Sequence, residues 1–206
     1  MLYLCSKQIN FWKSEMRYKD GYKVQKRQEL IAISGKLAKK QGFYATGIDR
    51  FMKAAGVTSG SFYKHFSSKN DLFKALIETE SERSIRMWWN NPHENIEDWV
   101  DFELDRYLSL SHVEQPENGC FLPSLANEIA QSDSEIRRLH QNELMRGHAL
   151  FAKNLGSEEK AWAMMSQLVG TILIARSIED ENLRIVILES NKKLMKQSLK
   201  SAHTKN

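Results

Sequence analysis

Apolar residues recur at spacings of three and four along most of the chain, the pattern of helices that bury one face. From Lys26 to Gln41, Leu30, Ile33, Leu37 and Ala38 form one stripe with lysines opposite, and Gly42 ends the segment as a C-terminal glycine does. Ile48 to Ala55 predicts a short second helix, with Thr46 placed to cap it and Gly56 to stop it. A third short helix is predicted from about Thr58 to His65. Ser68 and Asp71 then form a capping box ahead of Leu72, Phe73, Leu76 and Ile77, so a longer fourth helix starts there.

Further helices are predicted near 94–113, 121–131, 133–154, 157–178 and 181–200. Their breaks are marked by Asn90-Asn91-Pro92, by the run from Gln115 to Gly119, and by Gly156 followed by a capping Ser157. The fold class predicted is all-α: a three-helix unit over 26–70, joined by the long fourth helix to a helical body over 71–206. Residues 1–25 are basic and aromatic without a clear stripe and read as an arm of uncertain order, with Met16 as an alternative start.

Charge sharpens this division. Residues 1–70 hold 14 Lys and Arg against 4 Asp and Glu, while the remainder holds 16 against 22, although the whole chain is only +4. A basic module on an acidic body suits a polyanionic partner, because neutralised phosphates release counterions; a solvated basic face without a partner is the alternative. The longest uncharged run, Ala161 to Ala175, is too short to span a membrane and reads as a buried helix. Polar residues interrupt the apolar pairs of the first twelve residues, so no signal-peptide core forms and a cytoplasmic location is expected. Cys5 and Cys120 cannot build a disulfide framework, which fits a reducing compartment, and neither has a metal-site neighbour. No cofactor or metal is expected.

Short helix, glycine turn, short helix and long helix, following a first helix, make a helix-turn-helix with 58–65 in the recognition position. Ala54 and Ala55 allow two helices to cross closely, Gly56 makes the turn, and Val57 buries between them. Thr58, Ser59 and Ser61 are short enough to bring backbone N–H groups close to phosphate, and Gly60 permits close backbone approach. Tyr63, Lys64, His65 and Lys69 extend that donor surface. Phe62 and Phe66 read as core anchors. Tyr63 as a buried tyrosine, and Lys64 and Lys69 as merely solvated, are the alternatives.

The run Gly42-Phe43-x-x-Thr46-Gly47-Ile48, followed by Ala54-Ala55-Gly56-Val57-Thr58-x-Gly60-Ser61-Phe62-Tyr63-x-His65-Phe66-x-Ser68-Lys69-x-x-Leu72, resembles the DNA-binding domain of the TetR family of transcriptional repressors. The resemblance covers about residues 26–75. It implies an all-helical homodimer whose recognition helices enter successive major grooves of a near-palindromic operator in double-stranded DNA. It also implies a C-terminal domain that binds a small inducer, with the last two helices forming the dimer bundle. On matching positions, Ser59, Gly60 and Tyr63 are the implied base-reading set. Thr46, Thr58, Ser61, His65 and Lys69 resemble phosphate contacts, and Lys64 is a candidate for either role. Arg50 stands where the family usually has an acidic residue and Gly47 where Ser or Thr is commonest, which bears on the capping of the second helix.

The segment Asn118 to Arg138 resembles a stretch in a TetR branch that includes repressors of electrophile-detoxifying enzymes, with a Gly-Cys pair opening the sixth helix. At a helix N-terminus Cys120 is expected to favour thiolate and to react with electrophiles; a small buried hydrophobe is the alternative. For a non-covalent inducer, Trp88, Trp89, Trp99, Phe102, Tyr107 and Trp162 are candidate pocket walls or plain core. Apolar faces at Trp162, Met165, Leu168, Val169, Ile172 and Ala175, and at Leu183, Val186, Ile187, Leu194 and Met195, suit either a two-fold four-helix interface or a monomer's core.

Enzyme signatures are absent: there is no H-E-x-x-H, no G-x-S-x-G and no phosphate loop, and Cys120 with His140 or His148 is the nearest thing to a nucleophile pair. A non-regulatory helical DNA-architectural or interaction module is the other rival, to be separated by base-specific footprinting.

Overall fold

The computed structural model describes the backbone of residues 3–200 and the side chains of residues 21–198; the Cys5 and Met16 side chains lie outside the described residues. Among the described residues there are nine α-helices, one 3-10 helix and no strand. They are α1 (Tyr3–Gln41), α2 (Ile48–Ala54), the 3-10 helix (Ser59–Lys64), α3 (Lys69–Trp89), α4 (Ile96–Tyr107), α5 (Leu110–Glu114), α6 (Leu122–Ala130), α7 (Ser134–Leu155), α8 (Glu158–Arg176) and α9 (Glu181–Lys200).

The all-helical class is as predicted, with five local differences. The first helix begins at Tyr3 instead of Lys26. The third segment is a 3-10 helix, consistent with the weak helix propensity of Ser59, Gly60 and Ser61. The helix expected over 94–113 breaks after Tyr107, because the Ser109 hydroxyl accepts the His112 N–H and starts α5 afresh. Thr46 does not cap α2: its hydroxyl donates to the Gly42 carbonyl at 2.7 Å, and Gly47 occupies the cap with no side chain to offer. At the start of α3 the Ser68 hydroxyl accepts the Asp71 N–H at 3.1 Å, but the Asp71 carboxylate accepts from the Ser67 N–H, so the box closes one residue early.

Two cores organise the chain. The first joins α1, α2, the 3-10 helix and the start of α3 around Phe43, Phe51, Phe62, Phe66 and Phe73, with Phe43 and Phe73 stacked at 4.1 Å between ring centres. Phe121, Leu125 and Ile129 complete it, so α6 packs into the same cluster as the N-terminal helices. The second core holds Trp88, Trp99, Tyr107 and Phe151 with Leu104, Leu168 and Ile172, and Leu122 touches both. Among the described residues no helix is long and apolar enough to cross a membrane.

Candidate nucleic-acid interface and effector cavity

The turn before the 3-10 helix needs Gly56, whose φ of +68° is left-handed, and it lets the Val57 N–H reach the Met52 carbonyl at 3.0 Å. Phe62 and Phe66 then fix the helix by burial, their rings 5.4 Å apart, and the Arg27 guanidinium lies 4.7 Å over Phe66. This anchoring leaves Thr58, Ser59, Gly60, Tyr63 and Lys64 exposed and Ser61 half-buried, in one row facing solvent. Tyr63 is 70% exposed, which rules out the buried-tyrosine reading.

Three other sequence candidates are held differently. Thr46 is buried and turned inward to Gly42, so its hydroxyl is not on the surface where a phosphate contact would need it. Lys69 is half-buried: its ammonium donates to the Tyr44 carbonyl at 3.0 Å and sits 5.2 Å from the Phe43 ring centre, and burial lowers its pKa. His65 is half-buried, and its Nδ1 has no hydrogen-bond partner among the described residues. Burial first, and then the positive charges of Lys23, Arg27, Lys64 and Lys26, hold its imidazole below the usual value. The α1 cations Lys23, Lys26 and Arg27 therefore share the field of the recognition segment. Residue-by-residue reading missed them, although the basic excess of the first 70 residues was their signal.

Further along, a half-open cavity of about 70 Å³ lies between α3, the entry to α6, α7 and α8. Its walls are mostly apolar, with Trp88 edge-on to Phe151 at 4.5 Å. Of the six aromatic candidates only Trp88 and Tyr107 line it. Trp99 is core against Phe151, while Trp89, Phe102 and Trp162 are exposed, Trp162 stacking on His148 at 4.0 Å. Cys120 also lines the cavity, but it precedes α6, which begins at Leu122 with Phe121 as its cap. Burial pushes its thiol up, opposite to the thiolate expected at a helix N-terminus. The Tyr107 hydroxyl lies beside this sulfur without a well-formed hydrogen bond, and burial raises its pKa as well.

The loop carrying Cys120 is fastened from two sides. His112 Nδ1–H donates to the Tyr107 carbonyl at 2.7 Å and Nε2 accepts the Cys120 N–H at 2.9 Å, which fixes one neutral tautomer. Burial holds this imidazole at about 4. Gly119 must be glycine here, since a Cβ would fall 2.2 Å from the His112 ring. On the other side Lys39 of α1 donates to Glu80 of α3 at 2.9 Å and to the Gly119 carbonyl at 3.1 Å, with both charged side chains buried. Arg83 binds the same Glu80 oxygen at 2.8 Å and the Asn118 carbonyl at 3.1 Å. At the far end of α6 the Glu128 carboxylate accepts the Phe43 and Tyr44 N–H groups at 2.9 and 2.6 Å. The cavity loop and α6 thus grip the end of α1 and the turn that follows it. Among the described residues no group of His, Cys, Asp or Glu is placed to hold a metal ion.

Residues 30–76 match the family model for bacterial regulatory proteins of the tetR family. The HTH-type transcriptional regulator AcrR of Shigella flexneri is 41% identical over 59 residues, which are 29% of this chain and 27% of that protein. The HTH-type transcriptional regulator UidR of Escherichia coli K12 is 27% identical over 86 residues, 42% of this chain and 43% of that protein. The chain therefore matches less than half the length of these curated relatives. The reduced form of E. coli NemR shares the fold with a TM-score of 0.73 at 19% identity, over 84% of this chain and 96% of that one.

Proposed function

We propose, from the match of residues 30–76 to the family model for bacterial regulatory proteins of the tetR family, that the chain is a DNA-binding transcriptional regulator, a homodimeric repressor of a near-palindromic operator in double-stranded DNA. It acts in the cytoplasm and is not an enzyme. The observation that carries this reading is the exposed row Thr58 to Lys64, set on a segment whose Phe62 and Phe66 are buried and flanked by the cations of α1. Ser59, Gly60 and Tyr63 read bases; Thr58, Ser61, Lys64 and His65 meet phosphates. Lys69, tied to Tyr44, positions the turn and offers its remaining N–H groups to the backbone.

A dimer is supported by the apolar side chains that α8 and α9 leave uncovered, among them Leu173, Ile174, Leu183, Val186 and Leu194. Met165, Leu168, Ile172, Ala175 and Met195 serve the chain's own second core instead. Within the proposed division at 26–70 and 71–206, release follows from the grip of the cavity loop on α1. A ligand that shifts Gly119 or α6 pulls on Lys39 and on the Phe43–Tyr44 turn, and so changes the recognition helices' positions. The buried, protonated Cys120 favours occupancy by a small molecule over covalent modification by an electrophile.

The test uses an operator selected from random oligonucleotides. Tyr63→Ala should weaken operator binding about tenfold while leaving random DNA nearly unchanged. Lys64→Ala should weaken both alike and flatten the salt dependence. Equal losses on both DNAs for Tyr63→Ala would remove the base-reading role.

A further inference from the structure

Buried polar atoms without a partner are costly, so several of them around one space point to something that fills it. Among the described side chains, seven buried polar atoms lack a hydrogen bond, and three of them, Ser84 Oγ, Tyr107 Oη and His140 Nδ1, belong to residues lining the 70 Å³ cavity. They come from α3, α4 and α7, so no single helix accounts for the coincidence. Apart from Ser81, Cys120 and Glu143, the rest of the wall is apolar and aromatic, with Trp88, Phe151 and Leu168 among its surfaces. No lysine or arginine lines it, and the one carboxylate there, Glu143, is already paired with Arg146 at 2.6 Å.

We infer that this cavity binds a small neutral aromatic alcohol or phenol, its ring against Trp88 and Phe151 and its hydroxyl shared among Tyr107, Ser84 and His140. A hydroxyl both donates and accepts, so it can take a hydrogen from Tyr107 or Ser84 while giving its own to the His140 nitrogen. A carbonyl could satisfy only the donors. An anion would meet no cation, and a cation would have to displace Arg146 from Glu143. The size also fits, since a space of 70 Å³ holds about five to seven water-sized groups, close to the roughly seven non-hydrogen atoms of phenol. Burial keeps the Tyr107 hydroxyl protonated and His140 neutral at pH 7, which preserves this donor and acceptor set. The inference rests on the regulator reading only in calling the ligand an effector; the binding site stands without it.

The experiment is calorimetric titration of the full chain, without DNA, with phenol, toluene, benzoate and benzylammonium. Saturable binding of phenol is expected, with toluene about tenfold weaker for want of the hydroxyl and the two ions weaker still. The double variant Tyr107→Phe with Ser84→Ala removes two buried hydroxyls, that of Tyr107 lying beside the Cys120 sulfur, so it should still unfold in one cooperative thermal transition and bind phenol no better than toluene. Toluene equal to phenol, a tighter ion, a double variant that keeps the preference, or no phenol binding would each overturn the inference. A chain that protects an operator yet ignores phenol fails this inference alone, and one that binds phenol but no DNA fails only the regulator reading.

Discussion

Acid should loosen this protein through one histidine. His112 is 8% exposed, and both its ring nitrogens are committed, Nδ1–H to the Tyr107 carbonyl and Nε2 to the Cys120 N–H. A proton on Nε2 would turn its acceptor into a second donor facing the Cys120 N–H, and burial resists that proton, with Arg176 and Arg106 adding to the resistance. The imidazole therefore sits at about 4 instead of 6.5. Between those values the unfolded chain binds the proton and the native state does not, so stability is complete above pH 6.5 and falls as pH drops toward 4. The loss from this residue works out at about 2 kcal/mol by pH 5 and about 3 kcal/mol by pH 4. His140 and His65 are also shifted down and contribute in the same direction, so His112 is isolated by difference. Urea unfolding of the wild type and of His112→Gln at pH 7.5, 6, 5 and 4 gives that difference. The wild type should lose about 2 kcal/mol more than the variant between pH 7.5 and 5. Parallel profiles, agreeing within about 0.5 kcal/mol, would refute the buried, doubly bonded neutral imidazole.

Lys39→Met leaves Glu80 buried but still held by Arg83, so the cost should fall below the usual range for an orphaned buried charge, at about 2 kcal/mol in urea unfolding. The same variant should lower the effect of a bound ligand on DNA affinity, and an unchanged ligand effect would disconnect Lys39 from release. Val186→Glu, at a residue 58% exposed, should leave the fold's stability within about 0.5 kcal/mol yet shift sedimentation from dimer to monomer. A variant that stays dimeric would move the interface elsewhere.

Local chemistry explains what was legible in the chain. Gly56 as a turn, Phe62 and Phe66 as anchors, and Ser68 and Ser157 as caps each act within a few residues, so their patterns survive in one dimension. Long-range packing decided the rest. Lys39 reads as one of the lysines opposite an apolar stripe, but Glu80 and Gly119, distant in sequence, bring it inside. Trp89, Phe102 and Trp162 carry the same aromatic signal as Trp88, and only the placement of α3, α4 and α8 sends them outward. Cys120 reads as a helix-terminal thiol because a Gly-Cys pair resembles one that opens a sixth helix, yet α6 starts after it and the neighbouring core buries its sulfur. Thr46 lost its expected capping role to a shorter path back to Gly42.

Thr58 to Lys64 are proposed as a sequence-reading surface used twice by a symmetric pair of chains. Footprinting of the full chain on fragmented DNA from its source genome tests it most directly. Protection of discrete near-palindromic sites is predicted, with half-sites about 34 Å apart, and Tyr63→Ala should need about tenfold more protein to protect them. Uniform protection without sequence preference, or discrete sites that survive Tyr63→Ala unchanged, would contradict it.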